Sequence, residues 1–404
     1  MSTPRLYYDD AFLFGFQATV VAHAEFDGKP SVLLDQTAFY PESGGQMADL
    51  GVLGTHPVVD VQQDNDGRVH HLLKGTRPPV DASITGTIDR QRRQTHMALH
   101  TGQHILSKAL FEETGADTVS SRLGENECTI DLNQASIPES ALYRAEELAN
   151  AIVDDDLAIR AYFPSPEELP TIQMRNAPKV TDDIRVVSIG DFDHTPCGGT
   201  HCAQTSQVGS IHISQIEKNR GQVRVQFTAG RRGRDYLFSR AKHLAHLSSK
   251  MSCGPFEIEN AINKLRLDLK DSREQAGTIR ALLADFLSSQ LASTANDRGQ
   301  IIHVLPDGDP TFLRHVSKKL VDHGFCVFLA GQQQGRLRAV VACPEGNSLH
   351  CGHFFRQLVT LADGKGGGQA HFAQGHFPID QPWQALVEEA LSSNGAGNGS
   401  ACGD

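Results

Sequence analysis

Long apolar runs are missing from this sequence, and none approaches the roughly 20 residues that a membrane-spanning helix needs. Cysteine is sparse as well: the 8 cysteines are scattered and never spaced Cys-x-x-Cys, which disfavours a disulfide scaffold. The first residues, Met1 to Pro4, lack the charged and then apolar layout of a signal peptide. Together these absences predict a soluble chain that works in the cytoplasm.

Positive charge is also in short supply. The chain carries 37 basic and 48 acidic residues, a formal net charge of −11 at pH 7. Proteins that coat nucleic acid indiscriminately are basic overall, so the sequence disfavours that class. The stretch from Arg220 to Lys242 is an exception, with 7 basic residues opposed only by Asp235. It is either the solvated face of a helix or a local nucleic-acid-binding patch, with Arg231 and Arg232 as candidate contacts.

The 404 residues are too many for one hydrophobic core, and their patterns predict a multidomain α+β protein. Short β-type runs separated by turn signals such as Asp27-Gly28 predict a small antiparallel β-barrel at the start of the chain. The predicted divisions are a barrel with a glycine-rich loop (1–90), an α+β domain (91–231), a helical arm (232–297), a compact C-terminal α/β domain (298–391) and a disordered tail (392–404).

Apolar residues recur at steps of four and three along the long predicted helix of the arm, from Ile258 to Phe286. That spacing is typical of a coiled-coil seam, although Ser272 and Gly277 weaken it. The stripe therefore predicts packing either within one chain or between two copies of it.

The residues with the clearest chemistry are histidines and one cysteine. His96, His100 and His104 recur every four residues on the helix predicted to begin near residue 89, so neighbouring pairs share one helical face. Cys197 and His201 frame two glycines, whose backbone freedom lets the thiolate and the imidazole meet. Two imidazoles from a helix with Cys and His from a loop make a borderline-soft set that suits Zn²⁺.

Spacing alone does not choose between the pair His96 and His100 and the pair His100 and His104. Polar Thr101 and Gln103 beside the second pair favour it as the turn that faces a cavity.

Three segments together resemble the signatures of alanyl-tRNA editing domains. They are Phe-Tyr-Pro-Glu-Ser-Gly-Gly-Gln at 39–46, His-Thr-Gly-Gln-His at 100–104 and Cys-Gly-Gly-Thr-His at 197–201. In order and spacing they are similar to the long, free-standing AlaX-type editing proteins. The glycines at 366–368 with Phe-Ala-Gln-Gly at 372–375 resemble the glycine-rich end of a DHHA1-type C-terminal domain. The resemblance extends over nearly the whole chain, from about residue 5 to residue 391.

The resemblance implies a zinc-dependent hydrolase that removes serine or glycine from mischarged alanine tRNA and so protects translation fidelity. It favours His100 and His104 as the histidine pair, and it implies no charging of tRNA, because the arginine-bearing ATP motifs of a class II synthetase have no room before residue 39. The candidate residues are metal ligands His100, His104, Cys197 and His201, catalytic groups Gln103 and Arg224, pocket residues Gly44, Gly45, Gln46, Thr101, Ser120 and Ser121, and tRNA contacts Arg231, Arg232, Gly366, Gly367 and Gly368.

Two other interpretations fit parts of the sequence. One is a zinc-stabilised tRNA- or RNA-binding protein without catalysis, acting through the basic stretch and the C-terminal domain. The other is a zinc hydrolase of small amides or esters, which leaves the arm and the C-terminal domain without a purpose. The stripe on the arm allows either a monomer or a homodimer formed through the arm or the C-terminal domain.

Overall fold

A computed structural model describes residues 2–178, 180–219 and 221–395, and its chain divides into two compact units, Met1–Lys250 and Met251–Asp404. Of the predicted tail, residues 396–404 lie outside the described residues, as does Arg220 of the basic stretch. Within the described ranges, no helix combines enough length with enough hydropathy to cross a bilayer. The α+β, multidomain character is confirmed, whereas the finer division at residues 90, 231 and 297 stays a prediction.

The first six strands form a closed antiparallel barrel in the order β1-β2-β5-β4-β3-β6. Asp27 and Gly28, both with positive φ, make the predicted tight turn between the first two strands. The last strand alternates strictly between exposed and buried positions, which turns Ile84 and Ile88 into the barrel core. The bounds are β1 Gly15–Phe26, β2 Lys29–Leu34, β3 Gly51–Leu53, β4 His56–Gln63, β5 Val69–Leu73 and β6 Ser83–Ile88.

The rest of the first unit contains two further sheets, in the orders β12-β13-β8-β7 and β11-β10-β9. Its elements are α1 Arg90–Thr114, β7 Thr118–Leu123, β8 Cys128–Leu132, α2 Glu139–Asp154, β9 Ile159–Tyr162, β10 Val186–Ile189, β11 Asp193–Pro196, β12 Ile211–Asn219, β13 Gln222–Ala229 and α3 Gly230–Met251. Helices α1 and α2 pack together on the four-stranded sheet through apolar side chains such as Leu106, Leu142 and Val225.

The central helix α1 begins and ends where the sequence predicts. The side chain of Asp89 accepts a hydrogen bond from the backbone N–H of Arg92, which caps the first turn. Gly115 follows the last turn with φ of +66°, a left-handed conformation that favours glycine. Almost all side chains from His96 to Leu110 are buried, so this helix forms the centre of the unit.

A buried ion pair joins α1 to the barrel. Arg93 is fully buried, and its Nε lies 3.0 and 2.9 Å from the two carboxylate oxygens of Asp49. The guanidinium also donates to the carbonyls of Ala11 and Ala38, at 2.8 and 2.6 Å. Asp49 in turn accepts from the backbone N–H of Tyr40 at 2.7 Å. This network therefore fixes the barrel segment at 39–46 against the helix.

The second unit is a five-stranded sheet in the order β14-β15-β16-β18-β17, with helices on both faces. Alternate residues of β15 face opposite layers: Val327 and Leu329 pack with α4 and α5, whereas Phe328 packs with α6 and α7. The bounds are α4 Ile258–Ala292, β14 Gln300–Leu305, α5 Pro310–Asp322, β15 Cys326–Gln333, β16 Arg336–Ala342, α6 Cys351–Leu361, β17 Lys365–Gly368, β18 Phe372–Pro378 and α7 Trp383–Gly395.

The apolar stripe on α4 is not the face that packs on this sheet. The buried residues of α4 are Ala284, Ser288 and Leu291. By contrast, stripe residues such as Leu265 and Ile279 are 56% and 65% exposed. The stripe is therefore available to a partner that lies outside the second unit.

Two details of the second unit were not predicted from the sequence. Gly366, Gly367 and Gly368 lie in the edge strand β17. Cys326 and Cys343, at neighbouring ends of β15 and β16 with Cα atoms 4.3 Å apart, form a disulfide. The other described cysteines are free, so a single bridge is present rather than a scaffold.

Replacing Arg93 with Ala tests the ion pair. We expect a loss of about 3–5 kcal/mol in the free energy of unfolding, because the variant leaves the Asp49 carboxylate buried without its cation. The measurement is chemical denaturation at pH 7. Arg144→Ala is the control, because its pair with Glu113 is partly exposed and is worth less than about 1 kcal/mol. Equal losses in the two variants would contradict the role given to Arg93.

Candidate metal centre

Four of the predicted ligands converge on one point of the first unit. His100 and His104 come from successive turns of α1, and Cys197 and His201 come from the loop after β11. Their ligand atoms all lie within 4.8 Å of one another, and within the described residues this is the one His/Cys/Asp/Glu group placed to hold a metal ion. The Sγ of Cys197 lies 3.4 Å from His100 Nε2 and 3.3 Å from His201 Nε2. His96 is not part of this group.

Burial keeps the three imidazoles neutral, which is the state that binds a metal. Burial lowers the pKa of His104 to about 3, and it holds the pKa values of His100 and His201 well below the ordinary range. Burial also raises the pKa of the Cys197 thiol. Zn²⁺ prefers neutral imidazoles and a thiolate, so the donor set fits this ion once Cys197 releases its proton on binding.

Side chains behind the imidazoles orient two of the rings. His100 Nδ1 is 2.7 Å from Gln46 Oε1, and His201 Nδ1 is 3.2 Å from Thr101 Oγ1. Because the Nδ1 atom of each of these two rings contacts a side chain outside the cluster, the Nε2 atom of each ring faces the centre of the cluster. His104 Nδ1 has no hydrogen bond among the described residues and lies 3.9 Å from Asp193 Oδ2. Asp193 is held by the guanidinium of Arg175 at 3.0 Å.

Close packing of the ligand loop against α1 explains its second glycine. A Cβ on Gly199 would lie 2.2 Å from His100 Cε1, so only glycine fits here. The guanidinium of Arg185 donates to the carbonyls of Cys197 and Gly199 at 3.0 and 2.9 Å. These contacts hold the loop in the shape that brings its two ligands to the helix.

The barrel segment at 39–46 reaches the cluster through its last residue. Gly44 and Gly45, with φ of +56° and +86°, form a tight turn that is closed by hydrogen bonds between Ser43 and Gln46. The carbonyl of Gly45 accepts from the N–H of Leu123 on β7 at 2.8 Å. Gln46, a predicted substrate contact, is buried, and its amide bridges His100 and Thr200. It therefore supports a ligand of the cluster.

The other predicted pocket residues near α1 are Thr101, Gln103 and Ser121. Thr101 is fully buried, and its hydroxyl is engaged by His201 and by the N–H of Cys202. Gln103 is buried and donates to Ser107 Oγ at 2.8 Å. Ser121 lies on the side of β7 that faces α1, together with Leu123, and its carbonyl lies against Gly45. Gln103 and Ser121 therefore lie near the cluster without bonding to its ligands.

Arg224 and Ser120 lie on the other face of the sheet. Val223 and Val225 pack beneath α1, so strand alternation turns Arg224 away from the helix. There its guanidinium forms a fork on Asp131, with distances of 2.7 and 2.9 Å. Ser120 donates to the same carboxylate at 2.8 Å. The structure does not bring these two residues to the cluster, and their pocket roles stay predictions.

The predicted tRNA contacts lie in both units. Arg231 is exposed at the start of α3, whereas the half-buried Arg232 donates to the carbonyl of Gly124 at 2.8 Å. In the second unit, Gly366 lines a cavity of about 290 Å³ together with Arg338, Lys365 and His376. Gly367 and Gly368 continue the same edge strand. Exposure thus leaves Arg231 and the cavity lining free to meet a ligand.

Several residues that build the site had no signal in the sequence. Arg185 directly precedes β10 and holds the ligand loop, and Asp193 begins β11 and lies 3.9 Å from His104 Nδ1. In the sequence, nothing distinguishes Arg93 from the other arginines of α1. Only the structure shows that it is buried against Asp49. Burial of an unpaired cation is costly, so a buried arginine indicates a structural role. That burial can be recognised only once the fold is known.

Comparison of the amino-acid sequence with known proteins finds relatives that act on tRNA. Residues 184–225 match the family described as "Threonyl and Alanyl tRNA synthetase second additional domain". The alanyl-tRNA editing protein AlaX-L of Pyrococcus horikoshii is 35% identical over 236 residues, which cover 56% of this chain and 58% of that protein. The alanine–tRNA ligase of Archaeoglobus fulgidus is 29% identical over 390 residues, 93% of this chain and 42% of that protein.

Among solved structures, the C-Ala domain of Aquifex aeolicus alanyl-tRNA synthetase aligns with a TM-score of 0.22 and 22% identity, over 23% of this chain and 90% of that chain. The chain spans about half the length of the curated relatives it matches. The sequence relationships confirm the resemblance carried by the motifs: this chain is homologous to an alanyl-tRNA editing protein and to archaeal alanine–tRNA ligases.

Purified protein should contain about one transition-metal ion per chain, because three neutral imidazoles and a thiol converge on one point. We expect the double variant His104→Ala, Cys197→Ala to lose most of that metal, measured by elemental analysis. The matched control is His96→Ala, which removes a buried histidine one turn further from the loop. Full metal content in the double variant, or an equal loss in the control, would contradict the ligand set.

Arg224→Ala should cost about 1 kcal/mol of stability at pH 7, because it removes a partly exposed ion pair. The side-chain bond from Arg224 lowers the pKa of Asp131 below its ordinary value of 3.8. The pair therefore stabilises the fold above the unfolded carboxyl pKa, and this stability is lost as pH falls through the folded pKa. Thermal melting of both proteins across acidic pH should show the difference shrinking. Normal stability with impaired deacylation would instead support the pocket role.

Proposed function

We propose that this chain is a trans-acting hydrolase that deacylates alanine tRNA mischarged with serine or glycine, and that it does not charge tRNA itself. The observation that carries the proposal is the buried His₃Cys cluster, closed on one side by the Gly-Gly-Gln turn of the barrel. Homology to an alanyl-tRNA editing protein supports the same conclusion. The ester of an aminoacyl-tRNA is already reactive, so the site must mainly position it and a water molecule.

The metal in this proposal is Zn²⁺, held by His100, His104, Cys197 and His201. When bound, it would supply a fixed positive charge and a Lewis acid beside the substrate. The protein's own groups do the remaining work. Gln46 and Thr101 fix the imidazole rings, and Arg185 fixes the ligand loop.

Selection of serine over alanine requires a polar partner for the hydroxyl. We assign this role to Gln103 and Ser121, because both lie on the sides of α1 and β7 that flank the cluster. The hydroxyl of Thr101 is already engaged by two groups, which leaves it a supporting role. Gly44 and Gly45 would border the pocket through backbone groups. A site that bonds the serine hydroxyl leaves its own polar groups unpaired with alanine, and so rejects it.

Attachment of the whole tRNA needs contacts beyond the cluster. The chain carries a net charge of −11, so phosphate contacts must be concentrated in local patches. We propose Arg231, with support from Arg232, as one patch. The second proposed patch lies at the cavity of the C-terminal unit, where Gly366, Gly367 and Gly368 lie beside Lys365 and Arg338.

The exposed stripe on α4 supports a homodimer formed through the arm.

A second candidate is a zinc-stabilised RNA-binding protein without catalysis. The observation in its favour is that four protein ligands lie close enough to fill a tetrahedral ion, and such closed sets are typical of structural zinc. It leaves the buried polar Gln103 beside the cluster without a function. The deacylation assay separates the two candidates.

Serine should be released from alanine tRNA at least about 100-fold faster than alanine, because only serine satisfies the polar groups of the pocket. The assay follows release of labelled amino acid from each charged tRNA. Gln103→Ala and Ser121→Ala should reduce this ratio mainly by slowing the serine reaction. Equal rates for both amino acids would contradict the pocket assignment, and binding of tRNA without any release would favour the second candidate.

A further inference from the structure

An aromatic and cationic cluster lies directly beside the ligand loop. The ring of Phe163 meets the ring of Tyr8 edge-on, with centroids 5.6 Å apart. The guanidinium groups of Arg5 and Arg185 lie 5.5 and 5.0 Å from the centroid of the Tyr8 ring. Arg5 also donates a hydrogen bond to the Tyr8 hydroxyl at 2.7 Å. Two cations therefore flank a pair of aromatic rings that the reaction described above does not use.

Contacts of Arg185 and Tyr8 tie this cluster to the metal centre. Arg185 donates to the carbonyls of Cys197 and Gly199, which places its guanidinium against the back of the loop. The Tyr8 hydroxyl lies 3.5 Å from the point where a Cβ on Gly198 would stand. Gly198 is exposed, whereas His100, His104 and His201 are almost completely buried. The aromatic pair thus borders the solvent-facing edge of the ligand loop.

Exposure of one aromatic ring indicates a missing ligand. Phe163 is 50% exposed, although aromatic rings of this size usually bury most of their surface. Arg185 is only 6% exposed and supports the Tyr8 ring from within the protein. Arg5, which is half-buried, is the more accessible of the two cations on Tyr8. A ligand that stacks on the open face of Phe163 would therefore have a cation beside the supporting ring.

We propose that Phe163, steadied by Tyr8, is the stacking platform for the base of the 3′-terminal adenosine of the tRNA, with Arg5 facing its phosphate. This proposal rests on the proposed deacylase function. Single-stranded RNA ends are recognised by stacking on aromatic rings, and cations beside such rings neutralise the backbone. The scissile ester is attached to the ribose of that same nucleotide. Tyr8 links Phe163 to the ligand loop, so a base stacked on Phe163 would direct its ribose and the ester toward the cluster.

The experiment measures binding of full-length protein to two RNA minihelices of the alanine-tRNA acceptor stem, one ending in CCA and one ending in CC. Wild-type protein should bind the CCA form about 10-fold more tightly. Phe163→Ala and Phe163→Leu should bind the CCA form about 10-fold more weakly than wild type does, which brings it to the level of the CC form. Phe163→Trp should preserve the preference. Tyr143→Ala is the matched control, because Tyr143 is 51% exposed on α2 and bonds only to its own helix in the described contacts.

Two results would overturn the platform: no preference of wild-type protein for CCA, or an unchanged preference in both the Ala and Leu variants. The proposed function fails differently. Wild-type protein that prefers CCA but never releases serine would keep the platform and lose the deacylase. Conversely, normal KM for mischarged tRNA in Phe163→Ala would keep the deacylase and lose the platform. Elemental analysis of each variant checks that the metal centre is intact, because Phe163 is not one of its ligands.

Discussion

The buried ion pair between Arg93 and Asp49 is the constraint on which the site depends. It links the first turn of α1 to the barrel just beyond the Gly-Gly-Gln turn. That link sets the distance between Gln46 on the barrel and His100 on the helix, which meet at 2.7 Å. Burying two charges is costly, and the contact between the two charged groups and three hydrogen bonds to backbone groups offset that cost.

The cluster is assembled from three separate elements of the first unit, and none of them alone supplies the full ligand set. Helix α1 supplies two imidazoles with the correct spacing, the loop after β11 supplies a thiol and a third imidazole, and the barrel supplies the amide that orients His100. Burial keeps the imidazoles uncharged, so they bind a cation without first losing a proton. In the ligand loop, Cys197 is half-buried and Gly198 is exposed, so this side of the cluster faces solvent.

Local sequence signals predicted the parts of this fold that are encoded locally. Asp89 and Gly115 mark the ends of α1 because capping acts within one turn, and the spacing of the ligands follows from the same helix. The roles of Gln46, Arg185 and Arg93 were not predictable, since each depends on contacts far along the chain. The strand formed by the glycines at 366–368 also depends on distant contacts: a Cβ on Gly366 would lie 2.5 Å from the carbonyl oxygen of Gln374, so the pairing with β18 requires glycine there.

The positions of three arginines show why residue type alone does not define an active site. Arg224 is fixed by Asp131 on the outer face of the sheet, and Arg93 is fixed by Asp49 inside the unit. Only Arg185 contacts the ligand loop, and it does so while one of its donors stays unpaired. The three arginines therefore have three different structural roles, and their contacts rather than their residue type decide which of them bears on the metal centre.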